Sequence, residues 1–86
     1  ETAVNYYRHA SRLLPDDLKT QNQRIRIHSD LGYLLCWMGS YDEAMESFVV
    51  VQTIAQSINN QIAASRALEG KYLVHYFQFF ENDTQD

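Results

Sequence analysis

One stretch constrains this chain more than any other: Leu31-Gly32, Leu35, Gly39, Tyr41, Ala44 and Phe48. It reads as two amphipathic helices joined by a very tight turn, with small residues where the helices meet. Gly32 and Ala44 carry almost no side chain, so two helix backbones are expected to approach closely there. Leu31, Leu35 and Phe48 supply apolar bulk around that contact. Gly39 has no Cβ and suits the left-handed conformation that ends a helix. Ser40-Tyr41-Asp42-Glu43 then fits a capping box, with the Ser40 hydroxyl taking a free N–H and Glu43 reaching back to the Ser40 N–H.

The first residues contain a partial second copy. Ala3, Tyr7, Ala10 and Pro15 repeat a small–aromatic–small–proline order, and Ala3 and Ala44 are 41 residues apart. Together the two copies resemble the tetratricopeptide (TPR) repeat, whose signature runs W-x2-L-G-x2-Y, A-x3-F, then P. The usual period is about 34 residues. The surplus lies at 16–24 and equals about two helical turns of 3.6 residues, so a lengthened helix would keep its face. Longer repeats of this kind resemble those of bacterial regulatory and signalling TPR proteins. The chain departs from the signature where His28 takes the Trp position, Leu35 the Tyr position, Val51 a later Ala position and Gln56 the second proline.

The resemblance implies an all-α fold, an α-solenoid fragment of about four antiparallel helices. Residues 1–15 would be the second helix of one repeat, 16–58 a full long repeat, and 59–86 the first helix of another with a polar end. Because the chain opens inside a motif, it is expected to be a fragment of a longer protein. The helices are expected at about 2–14, 16–38, 41–57 and 61–80. Asp16 or Asp17 would cap the second, and Asn59-Asn60 would form the last turn. In the third helix Tyr41, Ala44, Met45, Phe48, Val51, Ala55 and Ile58 form an apolar stripe at steps of three and four. The register of the fourth helix has three solutions: Leu68 matched to Leu31, Gly70 matched to Gly32, or the 41-residue period kept. The Leu68 frame satisfies two motif positions, because it also brings Tyr72 to the aromatic one.

Composition narrows the function. Three glycines and one proline leave little turn chemistry for a β-rich fold. Eleven acidic against seven basic residues give a net charge of −4, which argues against a direct nucleic-acid groove. The single cysteine, Cys36, excludes an intramolecular disulfide and suits a reducing cytoplasm. No apolar run reaches the roughly 18 residues that mark a membrane span.

Nothing in the sequence calls for catalysis, a metal or a cofactor. His9, His28 and His75 show no i, i+4 pairing, and no second cysteine joins them. Cys36 reads as a small buried hydrophobe. There is no glycine-rich phosphate loop. The expected activity is therefore binding a protein or peptide, within a regulatory or signalling protein. In TPR arrays the first helix of each repeat lines a concave groove. That implies Arg26, Ser29, Tyr33, Cys36 and Trp37 on or near the binding surface. The Leu68 frame adds Arg66, Gly70 and Leu73. The chaperone type of repeat clamps a C-terminal carboxylate with a Lys and an Asn. Ser29 and Asp30 stand at the matching positions, and the aspartate disfavours that ligand. The alternative function is self-association. Tyr76, Phe77, Phe79 and Phe80 span more than one face of the fourth helix and are the candidates for a homodimer contact.

Overall fold

A computed structural model describes residues 2–14, 17 and 19–84, with side chains to Glu81. Four helices follow one another: α1 Thr2–Leu13, α2 Gln21–Trp37, α3 Tyr41–Ser57 and α4 Gln61–Thr84. There is no strand among the described residues. Each helix packs against the one before it, and α2 also touches α4. The Cα trace measures 47 × 29 × 13 Å, a flat body.

The two later connections are built alike. Gly39 has φ 81° and Asn59 has φ 58°. In the first turn the Ser40 N–H donates to Leu35 O at 2.9 Å and the Gly39 N–H to Cys36 O at 3.1 Å. In the second, Asn60 N–H donates to Ala55 O at 2.8 Å and Asn59 N–H to Gln56 O at 3.2 Å. Both are Schellman turns, which satisfy the last free carbonyls of a helix while reversing the chain. Glycine and asparagine are the residues that take the left-handed position at least cost. The expected turns at Gly39 and at Asn59-Asn60 are therefore present.

Helix starts follow a different pattern from the one expected. The Ser40 side chain makes no capping hydrogen bond; its φ of −86° and ψ of 69° lie outside the extended geometry of a side-chain cap. Glu43 does not reach back to Ser40 either. It pairs with Arg8, tying α1 to α3. The side-chain cap occurs at α4, where Asn60 Oδ1 accepts the Ala63 N–H at 3.1 Å.

The surplus segment is not two extra turns of helix. Asp17 Oδ1 accepts the N–H groups of Lys19 at 3.0 Å and Thr20 at 3.1 Å, and the Thr20 hydroxyl at 3.2 Å. This local turn competes with helix, and α2 begins only at Gln21. Pro15 and Asp16, which figured in the expected motif and helix cap, lie outside the described residues. At the other end, α4 runs past Phe80 to Thr84.

The core gathers Val4 of α1, Leu31, Leu35 and Cys36 of α2, Ala44 and Phe48 of α3 and Val74 of α4. Its centre differs from the expected Gly32–Ala44 contact. Ala44 is fully buried, but the residue that meets Gly32 is Phe48. A Cβ placed on Gly32 would lie 2.8 Å from Phe48 Cζ, and one on Gly70 would lie 2.5 Å from Phe48 Cε1. The ring is thus held between two glycines, one on α2 and one on α4. Both helices come close because neither has a side chain there. This also bears on register. Gly70 meets Phe48 as Gly32 does, whereas Leu68 and Tyr72 are 41% and 66% exposed. The inward stripe of α4 is Ala63, Ala67, Gly70 and Val74 at steps of four, three and four.

Candidate functional site

The α2 and α4 helices lie on the same side of α3 and leave a groove of about 460 Å3 between them. Its α2 wall is Asn22, Ile25, Arg26, Ser29, Asp30 and Tyr33. These fall at steps of three and four and so share one helix face. The opposite wall is Ile62, Ala63 and Arg66 of α4, with Asn60 at the turn. Phe48 reaches the groove from α3. Tyr33 leans on it edge-to-face, with ring centroids 5.0 Å apart and planes at 73°. Elsewhere along the same two helices Trp37 and Phe77 meet at 5.6 Å.

Of the eight residues expected on or near a binding surface, four are brought together here: Arg26, Ser29, Tyr33 and Arg66. Trp37 is not among them. It stands 76% exposed and rests on Phe77. Cys36 is buried in the core, and Gly70 faces Phe48. Sequence reasoning missed Asn22, Ile25, Asn60, Ile62 and Ala63. Extending the α2 stripe one turn back from Ser29 would have found Asn22 and Ile25. The Leu68 frame, which placed Arg66, also carries Ile25 and Arg26 onto Ile62 and Ala63, and following it one turn back would have found them.

The groove's charges are unevenly compensated. Among the described residues neither the Arg26 nor the Arg66 guanidinium has an ion-pair or hydrogen-bond partner. The Asp30 carboxylate lies near Tyr7 of α1, and its charge, followed by burial, raises the Tyr7 pKa above its ordinary 10.0. Asp30 therefore serves α1–α2 packing as well as lining the groove.

Groups that could suggest chemistry are dispersed. Burial pushes the Cys36 thiol up, which disfavours a reactive thiolate. His28 Nε2 sits 3.0 Å from the Ser11 hydroxyl between α1 and α2. Among the described residues no three His, Cys, Asp or Glu side chains gather as a cation site. No helix among them is long and apolar enough to cross a membrane.

A second surface feature lies on α4. Phe77 turns inward and packs against the core, while Tyr76, Phe79 and Phe80 are 57%, 68% and 45% exposed. Tyr76 and Phe80 stack edge-to-face at 4.7 Å, and Phe79 joins Phe80 at 6.2 Å. No protein-family model, curated protein or solved structure matches the chain.

Proposed function

We propose that this chain is a TPR-like helical-repeat module that binds a protein or peptide segment in the α2–α4 groove. It would act as a regulatory or sensing part of a larger cytoplasmic signalling protein. The observation that carries the reading is the groove itself. Aromatic and aliphatic groups, Phe48, Tyr33, Ile25 and Ile62, lie beside the polar heads of Arg26, Ser29 and Arg66. Apolar area flanked by orienting polar groups is what a recognition site requires, and tyrosine and arginine are frequent anchors. The repeat character draws support from the paired Schellman turns and the paired glycines on Phe48.

Selection from a random-peptide library displayed on phage tests this. Recovered peptides should shift the amide resonances of Arg26, Ser29, Tyr33 and Arg66, and Tyr33→Ala should weaken them about tenfold or more, the usual scale of an anchor residue. Failure to recover any peptide, or binding that leaves those resonances unmoved, defeats the proposal.

The exposed Tyr76, Phe79 and Phe80 favour a second reading, self-association through α4. Exposed apolar patches of this kind mark contact surfaces. Light scattering over a concentration series should then show a dimer that Phe79→Ser with Phe80→Ser abolishes without loss of helicity. A monomer at every concentration excludes it.

A further inference from the structure

We infer that the segment bound in the α2–α4 groove is acidic, with carboxylates flanking an apolar side chain. This rests on the groove being a peptide site and names the chemistry of its ligand.

The argument is one of local charge against global charge. The chain carries a net charge of −4. Yet the groove holds Arg26 on one wall and Arg66 on the other. No carboxylate among the described residues pairs with either. Asp30 also lines the groove, so its lining sets two positive charges against one negative. Arginine offers a planar fork of donors matched to a carboxylate. With one such fork on each wall, an anionic ligand in the groove could meet both. Tyr33, Ile25 and Ile62 give the groove apolar surface for one aliphatic or aromatic side chain.

The same balance separates a short acidic segment from a long polyanion. A nucleic acid would carry its phosphates beyond the groove onto a surface of net negative charge. A short peptide keeps its carboxylates inside the groove, within the screening length of the two arginines, about 8–10 Å at ordinary salt.

Peptides recovered on the wild-type protein are the probe. They should be enriched in Asp and Glu. Replacing one acid by its amide should weaken binding about two- to fivefold, the scale of an exposed ion pair. The double variant Arg26→Glu with Arg66→Glu should lose binding of the acidic peptide on the order of tenfold or more and gain binding of the same peptide with lysines in place of its acids. Raising the salt should weaken the acidic peptide and leave its amide version nearly unchanged. Recovered peptides without acidic enrichment, or acidic peptides bound equally by the charge-reversed variant, overturn the inference while leaving peptide binding intact. Single-stranded oligothymidylate bound as tightly as the peptide also overturns it. Recovery of no peptide removes the site and the inference together. Both arginines are exposed, so the reversed variant should keep its helical circular dichroism.

Discussion

Gly70→Ala is a sharp test of the packing at Phe48. In an ordinary helix interior this change stabilises by about 0.8–1.0 kcal/mol, because alanine is the better helix former. At Gly70 the new methyl would fall 2.5, 2.6 and 2.7 Å from three Phe48 ring atoms. The ring has little room to retreat, since the Gly32 face of α2 closes its other side, where even a Cβ would fall 2.8–3.0 Å from it, and Phe48 is 1% exposed. Overpacking of this kind costs about 1–3 kcal/mol. Taking about 2 for the clash and about 1 for the propensity gain leaves a net loss near 1 kcal/mol. For a domain of this size that lowers Tm by about 4–8 °C. The decisive measurement repeats the substitution in a Phe48→Leu background, using urea titrations followed by circular dichroism. There the obstruction is reduced, and Gly70→Ala should stabilise by about 1 kcal/mol, a coupling near 2 kcal/mol between the positions. Equal effects in the two backgrounds would refute the wedged ring, and so would stabilisation of the otherwise unmodified protein.

Three further outcomes follow from the same geometry. Ala44→Leu inserts bulk where no surface is exposed and should cost about 1–3 kcal/mol by urea titration. Burial, and secondarily the Arg24 charge, lowers the His28 pKa below its ordinary 6.5. The unfolded chain therefore takes up that proton first, so stability should hold above pH 6.5 and decline as pH falls below it, and His28→Gln should flatten that slope. The Tyr41 phenol is pushed up to about 12, first by its hydrogen bond to Glu81. Its contribution is complete below pH 10 and lost as pH rises toward 12. Phenolate absorbance should show one late-titrating tyrosine that Tyr41→Phe removes.

Much of the fold could be read from residues with unambiguous local physics. Gly39 and Asn59-Asn60 announced their turns, because left-handed backbone admits few residue types. The α3 stripe announced its buried face, because period 3.6 has one meaning in a helix. Three features resisted. Asp17 and Thr20 form a turn whose hydrogen bonds compete with a helix cap, and spacing alone does not decide between them. Ser40 and Glu43 carry the letters of a capping box, but Arg8, distant in sequence, takes the glutamate. The partner of Gly32 was taken to be another small residue, whereas a flat ring fills the gap between two glycines. In the groove, Arg26, Ser29 and Tyr33 followed from the face of one helix. On the opposite wall Arg66 followed from matching α4 to α2, while Ile62 and Ala63, one turn earlier on the same face, were not followed up.

That dual position of Phe48 governs how the groove can discriminate. The ring lies beneath the opening and also fixes the gap between the helices that form its sides. The groove is therefore a fixed gauge rather than a closing jaw. Widening it means pulling a glycine surface off a buried ring; narrowing it means driving backbone into the ring. In the proposed binding role, selectivity would come by exclusion, with side chains too broad for the gauge refused rather than accommodated. A drifting sequence could retune the two arginines freely, but the aperture can change only if three residues on three helices change together.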